Sequence, residues 1–169
     1  MRELNITLPF TSELITTLKS GDKVLLSGKI ITARDAAHKR MIELLDKGEK
    51  LPFDLSLYPI YYCGPTPAKA GFPVGACGPT TSSRMDKYVP RLFDEGLRVM
   101  IGKGERNEQV MNCIKRHNGL YLVAIGGAGA LYAKSVISCE CILWHDLSAE
   151  AVFVMEVKEM VTYVILNKS

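Results

Sequence analysis

Hydrophobic and polar residues follow two different periods along this chain, which predicts mixed α and β structure. Apolar residues recur every three or four positions, as in amphipathic helices, over residues 11–18, 33–47, 83–95 and 107–117. Runs of aliphatic and β-branched residues predict strands at residues 4–8, 23–32, 58–63, 97–101, 120–125, 135–144 and 151–166.

Helices alternate with strands in the middle of the chain, and the end is rich in strands, so we expect a layered α/β domain with a mixed sheet. A length of 169 residues suits one compact domain, residues 1–169. Ser27 and Gly28 interrupt their strand and predict a bend or bulge. Lys158 and Glu159 predict a turn within the last strand-like run.

The stretch from Gly75 to Asp86 concentrates groups that bind small anions. It reads GACGPTTSSRMD and lies at the end of a loop, residues 64–79, that is dense in glycine and proline. Such loops inside compact domains often carry function. The hydroxyls of Thr80 and Thr81, together with Arg84 at the start of a helix, predict a site for a carboxylate or phosphate. The alternative is a plain loop before a helix, with Ser83 and Asp86 at the spacing of a capping box.

Arg34 and Lys103 are further candidate cations, because each follows a predicted strand. Strand ends and helix starts converge on one edge of an α/β sheet. A cation such as Arg34 at a helix N-terminus is electrostatically unfavourable unless an anion binds there too. The alternatives are a surface pair between Arg34 and Asp35 and an ordinary turn lysine at position 103.

The histidines and cysteines give weaker signals. His38 lies near the suspected site, and we expect it to be a solvated helix residue. Cys63 and Cys77 stand beside Gly-Pro turns, where a nucleophile is one interpretation, whereas Cys139 and Cys141 favour core packing. The five cysteines contain no C-x-x-C pair, which favours reduced thiols in a cytoplasmic protein.

Composition excludes several classes of protein. A net charge of +3 with no basic run argues against a nucleic-acid partner. No apolar stretch is long enough to span a bilayer, and the first residues lack the plan of a signal peptide. The two glycine clusters, Gly102–Gly104 and Gly127–Gly129, lack the third glycine of a dinucleotide fingerprint and the end of a P-loop.

Five sequence blocks occur in an order that resembles a known family. They are SGKIITARDAAHKRM at 27–41, YYCGPTPAKAG at 61–71, GACGPTTSSRMD at 75–86, IGKG at 101–104 and DLSAEA at 146–151. Together they resemble the β subunit, or C-terminal domain, of class I fumarases and L(+)-tartrate dehydratases, the iron–sulfur hydro-lyases. The resemblance covers nearly the whole chain.

The resemblance implies a swivelling β/β/α fold and one half of a hydro-lyase that interconverts fumarate and malate. It implies that a [4Fe–4S] cluster is held by a partner α subunit and that this chain binds no cofactor and no metal alone. The isolated chain is then inactive, and in the cell it forms a hetero-oligomer, with a homo-oligomer left open for the isolated chain. The alternatives are an L(+)-tartrate dehydratase β subunit and a non-catalytic module that binds dicarboxylates.

The same resemblance assigns roles to five residues. Arg34, Arg84 and Lys103 would bind and polarise the substrate carboxylates, and Thr81 would assist in binding. Thr80 would contribute a hydroxyl for proton abstraction, which makes Thr80, Arg84 and Lys103 the catalytic candidates. The segment DLSAEA departs from the family's DLGMEA-like stretch, and the role of its glutamate stays open.

Overall fold

A computed structural model describes residues 1–166, in which strands and helices alternate as the sequence predicts. The strands are β1 (Glu3–Thr7), β2 (Lys23–Thr32), β3 (Ile60–Tyr61), β4 (Val99–Gly102), β5 (Leu120–Val123), β6 (Val136–Leu143) and β7 (Val152–Leu166). The α-helices are α1 (Ser12–Thr17), α2 (Asp35–Asp46), α3 (Val89–Asp94), α4 (Glu108–His117) and α5 (Gly129–Ala133). Two 3-10 helices cover Ser82–Tyr88 and His145–Glu150. The expected α/β class with a mixed sheet is confirmed.

The sheet closes on itself because β7 pairs with strands from both of its sides. Strands β1 to β5 run parallel to their neighbours in the order β1-β2-β3-β4-β5. Strand β7 is antiparallel to β2, β5 and β6. The pairs β2–β3, β3–β4, β4–β5, β5–β7 and β7–β2 therefore form a ring of hydrogen-bonded strands, with β1 and β6 attached outside it.

Alternation along the ring strands sends side chains into two separate cores. Val99 and Ile101 of β4 belong to one buried cluster, which also holds the apolar side chains of β1, α1 and β7. Met100 points the other way, into a cluster shared with α2, α3 and α4. Because side chains alternate along a strand, one ring supports both layers. Because β2 to β5 are parallel, their carboxyl ends lie together at one edge of the ring.

Helix ends follow local capping rules at two positions. Thr11 Oγ1 accepts a hydrogen bond from Leu14 N at 3.1 Å at the start of α1. Asn107 Oδ1 accepts from Val110 N at 2.8 Å at the start of α4. Among residues 1–166, no helix combines the length and the apolar character that crossing a bilayer requires.

Some predicted elements differ in extent. Strand β3 is only Ile60–Tyr61, and the helix predicted from Ser83 starts as a 3-10 helix before α3. The predicted turn in the last strand is wrong. Strand β7 continues through Lys158 and Glu159, which form a bulge opposite Ser27. Glu159 has a φ of 51°, and its N–H donates to Ser27 Oγ at 3.0 Å, so the bulge keeps its hydrogen bond.

Ser148 has a backbone conformation that suits glycine better than serine. Its φ is 53° and its ψ is −123° inside the 3-10 helix at His145–Glu150. A side chain at such a position costs about 1–3 kcal/mol. Ser148 belongs to DLSAEA, the segment that departs from the family's DLGMEA-like stretch. Because serine carries a Cβ, this conformation leaves local strain in the backbone.

Replacing Ser148 with glycine should stabilise the protein by about 1 kcal/mol, because relief of the strain exceeds the entropy that glycine loses on folding. Urea unfolding followed by circular dichroism measures the change. Ser138→Gly is the matched control, since Ser138 lies exposed in strand β6 without a positive φ, and glycine there should destabilise by about 0.5–1 kcal/mol. A loss of stability in both variants would contradict the strain at Ser148.

Candidate functional site

The carboxyl ends of β2 to β5 bring the predicted site residues to one edge of the ring. Arg34 follows β2 by two residues, and Lys103 directly follows β4. A Cβ built on Gly126, just after β5, would lie 3.3 Å from Lys103 Cδ. The lysine side chain therefore packs over the backbone at the end of the neighbouring strand. This edge is where ligands bind in α/β sheets.

The Thr80–Thr81 segment reaches the same edge by lying between the ends of β3 and β4. Thr80 N donates to Tyr62 O at 2.7 Å, and Ser82 N donates to Lys103 O at 2.9 Å. Thr81 and Lys103 form an isolated parallel bridge. The long loop after β3 thus returns as a short extra strand, which places Thr80, Thr81 and Lys103 side by side.

Arg34 is the first residue before α2, and its side chain is held in a narrow space. A Cβ on Gly64 would lie 2.9 Å from Arg34 Cδ and 3.1 Å from Ala149 O, so only glycine fits beside this arginine. Arg34 Nε is buried and has no hydrogen-bond partner among residues 1–166. Buried donors are nearly always paired in proteins, so this one marks a position where a ligand acceptor fits.

Thr80 Oγ1 is a second buried polar atom without a partner in the described part of the chain. Thr80 is bonded to Tyr62 through its backbone, and the chain runs on from Tyr62 to Gly64, which lies against Arg34. Arg34 and Thr80 therefore both adjoin the three-residue stretch 62–64. Three more buried polar atoms lack a partner in the described residues, namely Thr32 Oγ1, His38 Nε2 and Asn118 Oδ1, and the first two belong to residues within four positions of Arg34 in the sequence.

Arg84 lies at the exposed side of this edge and binds Asp35. Arg84 Nε donates to Asp35 Oδ2 at 3.0 Å, and Nη2 donates to Oδ1 at 3.3 Å. Partial burial disfavours the ionised form of Asp35, yet the hydrogen bonds and charge of Arg84 hold the pKa of that carboxyl below its usual value. The two side chains are 44% and 43% exposed, so the pair is weak and a ligand carboxylate can replace Asp35 at little cost.

Glu150 changes the interpretation of the N-terminus of α2. Its Oε1 accepts a hydrogen bond from Ala36 N at 3.2 Å, across 114 residues of sequence. The sequence suggested that an external anion binds both Arg34 and the free N–H groups of this helix. The N–H of Ala36 is already bonded, so this group of the helix start is not available to an external anion. The pairing of Arg34 with Asp35, the alternative left open above, is replaced by the pair of Asp35 with Arg84.

His38 is buried, and the expectation of a solvated histidine is wrong. Its Nδ1 lies 2.8 Å from Arg34 O. A carbonyl oxygen only accepts, so Nδ1 carries the hydrogen and the ring holds Arg34 through its backbone. Burial, aided by the charge of Arg106, lowers the pKa of His38 from 6.5 to about 4, against the opposing effect of the bond to Arg34 O.

Behind the site, a buried ion pair links the Thr80 segment to the loop after β4. Arg106 Nε donates to Asp86 Oδ1 at 2.7 Å, and Asn107 N donates to Asp86 Oδ2 at 2.8 Å. The capping box of Ser83 with Asp86 is therefore not formed, because the carboxylate is used elsewhere. Sequence reasoning missed Arg106, since a single arginine in a polar loop carries no local signal of burial.

The cysteines and acidic residues of this chain do not fit an iron–sulfur cluster. Among residues 1–166, no group of three or more His, Cys, Asp or Glu side chains is placed to hold a metal ion. Cys63 and Cys77 are buried, and burial raises the pKa of Cys77 to about 12 and that of Cys63 further. Thiols of this kind are poor ligands and poor nucleophiles at neutral pH, which argues against the nucleophile interpretation.

The structure is an α/β domain with a set of cations and hydroxyls at one edge of its ring of strands. The whole chain, residues 1–169, matches the family model described as Fumarase C-terminus. It is 38% identical over 152 residues to a putative L(+)-tartrate dehydratase subunit beta of Methanocaldococcus jannaschii, with 87% of this chain and 78% of that protein covered. The chain therefore belongs to the Fumarase C-terminus family.

Longer relatives carry the name of a fumarate hydratase. The chain is 40% identical over 147 residues to fumarate hydratase class I, anaerobic, of Escherichia coli, covering 86% of this chain and 27% of that protein. It is 40% identical over 150 residues to fumarate hydratase 2 of Leishmania major, covering 87% and 26%. The chain thus spans only about a quarter of the length of these relatives.

The neutral state of buried His38 should make stability depend on acid. In the native state the neutral His38 ring becomes protonated only near pH 4, whereas in the unfolded chain it becomes protonated near pH 6.5. The stabilisation from neutral His38 is therefore complete above pH 6.5 and is lost as pH falls towards 4. Its size is about 3 kcal/mol. Unfolding free energies measured by urea titration at pH 7 and at pH 4 give the difference.

His38→Asn is the comparison variant, because an asparagine amide can donate to Arg34 O but does not titrate. We expect this variant to lose about 3 kcal/mol less than the parent between pH 7 and pH 4. His117→Asn is the control, since His117 stacks on Phe93 at the end of α4, away from Arg34. Equal losses in the parent and His38→Asn would show that His38 does not titrate as described.

Proposed function

We propose that this chain is the β subunit, or C-terminal-type domain, of a two-subunit iron–sulfur hydro-lyase that reversibly hydrates fumarate to L-malate. The observation that carries the proposal is that Arg34 Nε and Thr80 Oγ1, both buried and without a partner in the described residues, belong to the same edge of the ring as the bridged pair of Thr81 and Lys103. Family membership supports the reaction class. We treat residues 1–169 as one domain, located in the cytoplasm, where five free cysteines stay reduced.

Binding of the substrate falls to the three cations. A four-carbon dicarboxylate carries two negative charges, and Arg34, Arg84 and Lys103 supply positive charge from three different segments of one edge. Removal of a proton next to a carboxylate builds further negative charge in the transition state. Fixed cations stabilise that charge more than they stabilise the substrate, so they lower the barrier as well as bind. Thr81, bridged to Lys103, supports the binding position.

Thr80 is the proposed proton-transfer group. Its Oγ1 is buried and has no partner in residues 1–166, so it is available to a substrate. Threonine is a weak base at neutral pH, and it works only where nearby positive charge favours charge build-up on the oxygen. The cations proposed to bind the substrate provide such an environment.

The rest of the active site is proposed to come from a partner α subunit. The described residues of this chain do not fit a cluster, so we assign the [4Fe–4S] cluster to that partner and route no step through it here. The relative from M. jannaschii carries the name of a subunit beta and has a length similar to this chain. This supports an assembly in which the two halves are separate chains.

The second candidate reaction is the dehydration of L(+)-tartrate. The name of the M. jannaschii relative and its high coverage favour it. Both substrates are four-carbon dicarboxylates and need the same cationic contacts, so the edge formed by Arg34, Thr80 and Lys103 suits either. Relative turnover of the two substrates by one preparation distinguishes the reactions.

The test is to co-express the chain with its α subunit and reconstitute iron and sulfide without oxygen. We expect a stable complex that converts fumarate to malate, at least tenfold faster in kcat/KM than it converts L(+)-tartrate, whereas the chain alone is inactive. Faster tartrate turnover selects the second candidate. A chain that binds malate alone but forms no complex and no product would leave only a non-catalytic dicarboxylate-binding module.

Arg84→Ala should lower kcat/KM of the reconstituted enzyme by about 100-fold, because it removes a charged donor from the developing negative charge. Arg91→Ala is the matched control. Arg91 makes the same kind of surface pair with Asp46 at 2.8 Å and is 40% exposed, close to the 44% of Arg84. We expect less than about a twofold change for Arg91→Ala. Equal losses in both variants would remove the role assigned to Arg84.

A further inference from the structure

The two arms of the candidate site are paired through their backbones and also share one buried side-chain hydroxyl. One arm is the Thr80–Ser82 segment, and the other is the loop Gly102–Gly104. The hydroxyl of Tyr121 on β5 lies 2.7 Å from Ser82 Oγ and donates to Gly104 O at 2.8 Å. Ser82 directly follows Thr81, and Gly104 directly follows Lys103. Tyr121 thus contacts the neighbours of both residues.

The direction of this hydrogen-bond chain follows from the groups involved. Gly104 O is a carbonyl and only accepts, so the single phenol hydrogen of Tyr121 points to it. Ser82 must then donate its hydroxyl hydrogen to Tyr121 Oη. Burial raises the pKa of Tyr121 to about 12, so the phenol keeps its hydrogen at neutral pH. The order is Ser82 to Tyr121 to Gly104, with each member oriented by the next.

The surroundings shield these hydrogen bonds from water. Tyr121 and Ser82 are fully buried. The guanidinium of Arg106 lies 4.8 Å from the centre of the Tyr121 ring and is itself fixed by Asp86. A Cβ on Gly102 would overlap Ser82 Oγ, so glycine at that position is needed for the close approach of the two arms. The rigid phenol of Tyr121 therefore fixes the distance between Ser82 and Gly104 and does not merely fill space.

We propose that Tyr121 is a positioning residue of the candidate site: its hydroxyl holds Ser82 and Gly104, and through them keeps Thr81 and Lys103 in register with each other. The consequence for activity rests on the proposed function. The consequence for the two arms does not, because it concerns hydrogen bonds within this chain. A displacement of about 1 Å in a catalytic group such as Lys103 can cost about 100-fold in rate, so the hold of Tyr121 on the two arms is relevant to catalysis.

The first experiment uses the isolated full chain and amide hydrogen exchange. Tyr121→Phe removes the hydroxyl and keeps the ring, so the Ser82 amide, which donates to Lys103 O at 2.9 Å, should exchange about tenfold faster. Ser82→Ala is the second variant and breaks the same chain from the other end. Thr162→Val is the control, because it removes a buried hydroxyl bond of 2.9 Å to Val24 O at the opposite end of β2.

The expected result is faster exchange of the amide at position 82 in Tyr121→Phe and Ser82→Ala but not in Thr162→Val. Unchanged exchange of this amide in both site variants would overturn the inference. Equal acceleration in all three variants would overturn it too, since it would reflect a general loss of stability.

The second experiment uses the reconstituted complex with fumarate. Loosening Lys103, which is proposed to stabilise the transition state more than the substrate, lowers kcat more than it raises KM. We therefore expect Tyr121→Phe to lower kcat about tenfold with KM within about threefold, and Thr162→Val to change neither. Unchanged kcat in an active Tyr121→Phe complex would overturn the positioning role. If even the parent complex is inactive, the proposed function fails, and the exchange data alone decide whether Tyr121 holds the two arms.

Discussion

The ion pair between Asp86 and Arg106 is the constraint on which the site depends. The Arg106 side chain is fully buried and that of Asp86 is 5% exposed, so neither charge is solvated by water. Such a pair is tolerable only when it is well hydrogen-bonded. Each of the three nitrogens of the Arg106 guanidinium donates one hydrogen bond, to Asp86, Met100 or Tyr62, and the rings of Tyr62 and Tyr121 contact it as well. The same carboxylate binds the backbone at Asn107. Moving either segment would leave a buried charge without its partner. The arms of the site are therefore already fixed in the ligand-free protein.

Sequence reasoning predicted most of the fold because the main elements have strong local patterns. Helices α2 and α4 and strands β2 and β7 follow from periodicity and from the glycine or asparagine at their ends. The edge that joins Arg34, Thr80, Thr81 and Lys103 followed from the rule that parallel strands end together. What escaped prediction depends on contacts between distant residues, such as Glu150 with Ala36. Burial of His38 escaped for the same reason: two tyrosine rings from other segments cover it.

The edge combines rigid and exchangeable charges, and the difference has a physical basis. Arg34 is wedged against Gly64 and held through its carbonyl by His38, so its position is set by packing. Arg84 is nearly half exposed, and its ion pair with Asp35 contributes little to the free energy of folding. A fixed cation lowers the entropy cost of binding, whereas an exposed one can change partner as a ligand enters or leaves. The edge therefore has one cation fixed by packing, Arg34, and one cation that can change partner, Arg84.

Closure of the ring by β7 sets the order in which this chain can fold. Strand β2 is near the beginning, yet its antiparallel partner is the last strand, and the bond from Thr162 to Val24 spans 138 residues. Pairings this distant in sequence form slowly and have high contact order. On the ribosome, β2 must wait for β7 to be synthesised while its apolar face stays uncovered, a state prone to aggregation. The ring therefore cannot close before β7 has been synthesised, and chaperone protection of the incomplete ring becomes part of producing this fold.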